Sequence, residues 1–385
     1  MARILFTFAG GSGHADPLVP IADAARAAGH ITAFAGRRSG AVNAEALGFT
    51  LLGACAEPAE SPREITPLRA LDMVHEEQIL RDHFAGAEAR LRATQTLELI
   101  GAWRPDLIVC DEVDFGSMVA AERAGLAHIT VSVTASGSFV RPEVVAKPLD
   151  ALRGEHGLAP DETLAMPSRH LVVSPFPPSF RDPACSVAPN TLSIRPSSAA
   201  PRHAGAATGW QPRASESRTV YLTLGTVFNT ESGNLFERAI EGLRELPIGV
   251  VVTVGRDIEP TRFGPQPQHV RIERYIPQAE LLPHCDLVIN HGGSGSVIGA
   301  LAHGLPLVVL PMGADQSLNA VRCEQLGVGI ALDAVAATPR SIGCAAADAL
   351  DNAAFRAAAQ AMREEIERLP APETVVPLLE QIAAR

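Results

Sequence analysis

The stretch His291-Gly292-Gly293-Ser294-Gly295-Ser296 sits between two apolar runs and constrains the fold more than any other part of the chain. Before it, Asp286-Leu287-Val288-Ile289-Asn290 has the length and character of a buried strand. After it, Val297 to His303 carries small and apolar residues suited to a helix, closed by Gly304. Leu305-Pro306-Leu307-Val308-Val309-Leu310-Pro311 then reads as the next strand. Strand, glycine turn, helix and strand in that order make a βαβ unit. Glycines leave no side chains in the way, so backbone N–H groups at the helix start can approach a ligand closely. Those N–H groups lack partners inside the helix, and the helix dipole favours an anion there. A phosphate is the natural occupant, with His291 beside it to add a hydrogen bond or a charge.

The chain opens in the same way. Arg3 to Ala9 is the first strand, Gly10-Gly11-Ser12-Gly13-His14 a flexible turn, and Pro17 suits the first turn of a helix running Leu18 to Ala28 and stopped by Gly29. His30 to Ala35 reads as the second strand, so a parallel sheet is expected. The stretch from Ala54 to Ile100 is polar and irregular at first, then helical from Leu68 onward. Asp106-Leu107-Ile108-Val109-Cys110-Asp111 is a buried strand with an acid at its C-terminal end, followed by a helix (Ser117 to Ala124) and a strand (His128 to Val133). From Pro175 to about Arg218 the composition turns to Pro, Ser, Ala and Arg with little periodicity, which marks the interdomain connection. A second series then begins. Its strands are Val220 to Leu224, Ile248 to Val254, Val270 to Ile276, the two beside the glycine stretch, and Val328 to Leu332. The turn Gly225-Thr226-Val227-Phe228-Asn229 follows the first of these, and a short helix, Glu373 to Ala384, ends the chain. The expected architecture is α/β, with two facing Rossmann-like doubly wound parallel-sheet domains. They span 1–205 and 219–365, joined by a linker at 206–218, with 366–385 as a C-terminal helix returning to the first domain.

A length of 385 residues suits two such domains. A net charge of −11 and an aromatic content of 4% argue against nucleic acid and anionic membrane as partners. Phosphate binding must therefore be local. The six cysteines are scattered without a C-x-x-C pair, which suits reduced thiols in a cytoplasmic protein. No apolar run reaches membrane-spanning length, and the N-terminus reads as a strand and not as a signal peptide.

The glycine turns invite a dinucleotide reading, which needs G-x-G-x-x-G. The third glycine position holds Asp16 in the first turn and Ile298 in the second, so neither completes the fingerprint. Arg37-Arg38 after the second strand could accommodate a 2′-phosphate, but without the fingerprint this carries little. No G-K-S/T follows either turn, so a P-loop is excluded.

Taken together, His14-Ala15-Asp16-Pro17, Tyr275-Ile276-Pro277-Gln278, His291 to Ser296, Gly304 to Pro311 and Asp315-Gln316 resemble family 1 glycosyltransferases of the GT-B fold. The resemblance is strongest to the bacterial enzymes that attach deoxysugars to antibiotic-type natural products, and its layout spans the whole chain. It implies a hexosyltransferase using a nucleotide-sugar donor, ordinarily dTDP-linked, and a small hydrophobic aglycone of polyketide, enediyne or macrolide type. Tyr275 stands where the family usually has a tryptophan stacking on the base, and Ile276 would supply backbone bonds to that base, with Gln278 close by. His291, Gly293, Ser294, Gly295 and Ser296 would hold the diphosphate, with Gly13 of the opening turn also on the donor side. Asp315 and Gln316 would contact sugar hydroxyls, and Thr226 and Asn229 would touch phosphate or sugar.

The chemistry needs a base for the acceptor hydroxyl. His14 is placed by its turn to serve, since a neutral imidazole can accept a proton near physiological pH. A carboxylate behind it would fix the tautomer and stabilise the imidazolium. Asp111 matches the family's partner acid, with Glu112 and Asp114 as close competitors. Plainer roles stand beside these. His14 could be a turn histidine touching only phosphate or solvent, Asp111 a helix N-cap before Phe115, and His291 a structural strand-end residue. Met73, Phe84 and Phe139 could line an apolar acceptor cavity or belong to the core. The resemblance implies a single in-line displacement with inversion; no D-x-D or His/Cys cluster has metal-ligand spacing, so no cofactor or metal is expected and the helix end stands where a cation could otherwise stand. The alternatives are a nucleotide-sugar epimerase on the same fold and a lipid-acceptor cell-wall glycosyltransferase. No stable membrane insertion is expected, and a homodimer is left open.

Overall fold

The computed structural model describes residues 1–53, 63–196 and 218–384. The expected linker at 206–218 lies outside the described residues except for Arg218, as do Cys55 and the start of the expected acceptor region, 54–62. The chain divides into two compact units, one of residues 1–58, 73–197 and 369–385 and the other of 59–72 and 198–368.

The first unit is built on a seven-stranded sheet in the order β3-β2-β1-β4-β5-β6-β7. The strands are β1 (Arg3–Thr7), β2 (Ile31–Ala35), β3 (Thr50–Leu52), β4 (Leu107–Asp111), β5 (His128–Val131), β6 (Leu171–Ser174) and β7 (Thr191–Ser193). Every pairing is parallel. β4 is buried along its whole length, as a central strand covered on both faces must be. The opening turn departs from expectation. Ser12–Ala15 is already helical and runs through Asp16–Leu18, with Pro17 inside it, into the helix Val19–Ala27. His14 therefore sits in the first helical turn and not on a flexible loop.

The second unit repeats the plan with six parallel strands in the order β10-β9-β8-β11-β12-β13. They are β8 (Thr219–Thr223), β9 (Gly249–Thr253), β10 (Val270–Glu273), β11 (Leu287–Asn290), β12 (Leu307–Val309) and β13 (Gly329–Ala331). β8, β9 and β11 are wholly buried, matching their continuous apolar sequences. In each sheet the chain starts in the middle, works outward to one edge, and returns to pair the other side of its first strand. That reversal leaves a crevice at the carboxyl ends of β1 and β4, and another at those of β8 and β11.

One segment crosses the sequence-based boundaries. Residues 63–72 group with the second unit, although a boundary at 205 assigns them to the first. Ile65 and Leu68 pack on the second core, and Thr66 exchanges backbone hydrogen bonds with Thr230 and Gly233. At the other end, Val375 and Leu379 are buried in the first core, and the amide of Arg195 donates to the carbonyl of Pro370 at 2.8 Å.

Candidate active site

In the first unit, the switch point brings together the end of β4 and the turn after β1. His14 Nδ1 stands 3.4 Å from Asp111 Oδ2, with Asp111 fully buried and the His14 side chain 26% exposed. The Asp111 carboxylate is fixed by backbone donors, the amide of Ala9 to Oδ2 at 2.8 Å and that of Val113 to Oδ1 at 2.7 Å. The His14 contact is longer than an optimal hydrogen bond, as catalytic pairs often are before substrate tightens them.

The competing acids have other work. Asp114, not Asp111, is the N-cap of the helix Phe115–Ala124, accepting from the Ser117 amide and hydroxyl. It also pairs with the buried Arg92 at 3.1 Å. Glu112 accepts from the amides of Val133 and Thr134, and burial raises its carboxyl above the ordinary range. Asp111 is thus the acid left facing His14.

Glycine is needed here for the histidine ring itself. A Cβ on Gly10 would fall 2.2 Å from His14 Cδ2 and 2.5 Å from Nε2, so any side chain there would displace the ring. Gly13, by contrast, is exposed with open space around it. Phe84 is half-buried and stacks on the His14 ring with centroids 5.8 Å apart and planes 16° from parallel. Met73 is half-buried at the start of the helix Met73–Gln78, and Phe139 is buried at 8% exposure, a position closer to core than to an open wall.

The second unit presents the matching crevice. His291, at the end of β11, is 8% exposed, and Gly225 at the end of β8 lies against its ring. A Cβ on Gly225 would be 2.6 Å from His291 Cε1, and one on Gly293 would be 2.5 Å from Nε2. Burial pushes the His291 imidazole down to about 4, so it is neutral at physiological pH and offers a hydrogen bond, not the charge considered from sequence. Its Nδ1 has no hydrogen-bond partner among the described residues. The helix Ser294–Leu301 starts at Gly293 with no side-chain cap and no acid in its first turn, so its leading N–H groups point outward. Gly295 is exposed and Ser296 half-buried, whereas Ser294 is buried and its hydroxyl donates to Asp315 Oδ2 at 2.7 Å.

Asn319 is not among the residues singled out from the sequence. Its amide donates to the Gly292 carbonyl, the Ser294 hydroxyl and Asp315 Oδ2, tying the glycine turn to the helix Gln316–Gln325. Asp315 and Asn319 are four residues apart, one helical turn, and that spacing was the available clue. Gln316 is 2% exposed and its Oε1 accepts from the amides of Met312 and Gly313. It braces its own loop, which turns through Ala314 at a φ of +50°.

Asn229 is 2% exposed and its amide donates to the Val254 carbonyl at 2.9 Å, against Gly255, where a φ of +88° and the adjacent Asn229 side chain leave room only for glycine. In this arrangement its amide nitrogen braces β9, while its Oδ1 is buried with no hydrogen-bond partner among the described residues. Thr226 is exposed, Tyr275 is 53% exposed, Ile276 is buried and Gln278 is half-buried. Among the described residues, no group of three or more His, Cys, Asp or Glu side chains is placed to hold a metal ion. No helix among them is long and apolar enough to cross a membrane.

Residues 237–382 match the family model described as erythromycin biosynthesis protein CIII-like, C-terminal domain. The chain is 29% identical to L-demethylnoviosyl transferase of Streptomyces niveus, over 97% of this chain and 96% of that one. It is 27% identical to 3-alpha-mycarosylerythronolide B desosaminyl transferase of Saccharopolyspora erythraea, over 99% and 98%. The spinosyn rhamnosyltransferase SpnG superposes with a TM-score of 0.82 at 25% identity, over 99% of this chain and 100% of that one. Across its length the chain is similar to antibiotic glycosyltransferases. Its two parallel-sheet units are the GT-B architecture of that group. SpnG has been solved with thymidine diphosphate and with the spinosyn aglycone.

Proposed function

We propose that this glycosyltransferase moves a deoxysugar from a dTDP-sugar to a hydroxyl of a hydrophobic natural-product aglycone, with inversion and without a metal. The observation that carries the reading is the His14–Asp111 pair at the switch point of the first sheet, where Asp111 is the acid that faces the imidazole. His14 takes the acceptor's hydroxyl proton while the acceptor oxygen forms the new bond at the anomeric carbon. The bond from that carbon to the diphosphate breaks on the opposite face, and Asp111 stabilises the imidazolium. Negative charge grows on the leaving dTDP. The outward N–H groups of the helix Ser294–Leu301 and a hydrogen bond from neutral His291 answer it. The exposed ring of Tyr275 supplies the flat face for the base. The thymidine diphosphate in the SpnG complex supports a dTDP donor here, and the relatives named above are transferases, which favours transfer over epimerisation.

A panel of dTDP- and UDP-sugars, incubated with the protein alone and then with polyketide and macrolide aglycones, tests the reading. The expected result is stabilisation by dTDP compounds and product only when donor and aglycone are both present, undiminished by EDTA. Sugar conversion by donor alone, or complete loss on chelation with rescue by magnesium, refutes it.

A further inference from the structure

The segment carrying Phe84 has an unusual winding. Ile79–Glu88 forms a π-helix ten residues long, followed without a break by the α-helix Ala89–Trp103. π-helical turns are normally single and recur at functional sites, because the wider i→i+5 step redirects side chains that an α-helix would place elsewhere. Leu80, Ala85, Gly86 and Glu88 of the π-helix are buried, and beyond it Ala89, Arg92, Ala93 and Thr96 are buried at α-helical spacing.

Both ends of the π-helix are anchored. Before it, Glu77 pairs with Arg141 at the start of the helix Pro142–Glu155. At its end Glu88, 4% exposed, pairs with Arg37 at 3.2 Å, and one turn on the buried Arg92 reaches Asp114 and the Ala35 carbonyl. Gly116 of the helix Phe115–Ala124 lies so close beneath that a Cβ there would be 2.2 Å from the Ala89 carbonyl. These contacts tie the segment carrying Phe84 to the ends of β2 and β4, the two strands that flank β1.

We propose that Phe84 is a positioning residue for His14, an inference that rests on His14 being the proton acceptor. The imidazole is then held from three directions. Asp111 faces Nδ1, the bare backbone of Gly10 lies against the ring, and Phe84 covers one of its faces in an offset stack. Holding the ring leaves it little freedom to rotate about its side-chain bonds, so the proton-accepting nitrogen keeps one direction between turnovers. Phe84, which the sequence left open between acceptor cavity and core, thereby acts on the base.

The test compares F84L, which keeps apolar volume, with F84Y and F84W, which keep an aromatic face. The His14 imidazole proton resonance, assigned by its disappearance in H14A, reports whether a ring lies over it. In F84L it is expected to move toward the position of an unstacked histidine, with kcat falling about three- to tenfold at unchanged donor KM. F84Y and F84W should return the resonance and most of the rate, which a purely space-filling role would not require. An unmoved resonance in F84L overturns the proposal, and so does a moved resonance with unchanged kcat. A loss confined to acceptor KM also overturns it, by making Phe84 an aglycone contact. Transfer surviving in H14A breaks the base reading instead, and the resonance result separates the two failures.

Discussion

The two switch points carry the same residue type in the same kind of cradle, yet in different surroundings. His14 and His291 each press against glycines whose Cβ atoms would collide with the ring. His14 keeps a quarter of its side chain exposed and faces a buried carboxylate at 3.4 Å. His291 is nearly enclosed, and burial lowers its titration to about 4. An imidazole beside a carboxylate can accept a proton and hold the resulting charge. One buried without a counter-charge stays neutral and can only share hydrogen bonds. The comparison teaches that a glycine turn and a histidine do not define a role. The neighbouring acid and the degree of enclosure do.

The sharpest way to break this contrast is to remove each ring in turn. H14A should lower transfer by about 10²- to 10⁴-fold, the range for a lost general base, while dTDP still binds. H291A should weaken dTDP binding by roughly ten- to a hundredfold, the scale of a lost hydrogen bond to a charged group, and retain more of kcat at saturating donor. Steady-state kinetics and calorimetric titration with dTDP check both. If both variants lose the same parameter, the two histidines share a role and the distinction fails.

Acid stability sharpens the enclosed half. His291 titrates at about 4 when folded against an ordinary 6.5, so between these values the unfolded chain binds more protons than the folded one. Stability therefore rises with pH across that window and is lost as pH falls through it. H291Q should flatten the slope of unfolding free energy against pH there by up to about 1.4 kcal/mol per pH unit, read from urea melts between pH 4 and 6.5. His128, which burial also lowers to about 4, keeps part of the slope in the variant. An unchanged slope in H291Q would mean the ring is not enclosed in solution.

The glycines give the smallest effects and the cleanest division. Gly225 has a φ of +76° in addition to its collision with His291, so G225A should cost about 1–2 kcal/mol from backbone strain alone and lower the melting temperature. Gly10 meets only the His14 ring, the end of a side chain that can swing away. G10A should stay within about 1 kcal/mol of the parent in stability while losing rate, because the displaced ring leaves Asp111. Equal melting losses in the two variants would erase the difference between the cradles.

Much of the architecture was legible in the sequence. Long apolar runs such as Leu107 to Cys110 and Val250 to Val252 identified central strands, because a strand covered on both faces has no polar side to show. β3, β6 and β7 escaped because they are three or four residues long and only partly buried, so neither period nor composition marks them. The Thr191–Ser193 strand even lies in the stretch read as a connection. Within the candidate site, the proximity of Asp111 to His14 was legible from the motif resemblance. The bracing contact of Asn229 was not, because a polar residue after a strand looks alike whether it meets a ligand or braces a neighbouring strand.

By itself, the sequence determined the two βαβ beginnings, the parallel sheets they start, and the glycines beside each histidine. These follow from local period and from the steric needs of a turn, which neighbours along the chain dictate. The tertiary structure decided which acid faces His14, that Asp114 caps the helix while Asp111 does not, and that His291 is enclosed. It also decided that a ten-residue π-helix brings Phe84 onto the His14 ring. Those are matters of burial and partner, set between residues as much as 97 positions apart, as His14 and Asp111 are (111 − 14), and no local pattern encodes the distance between them.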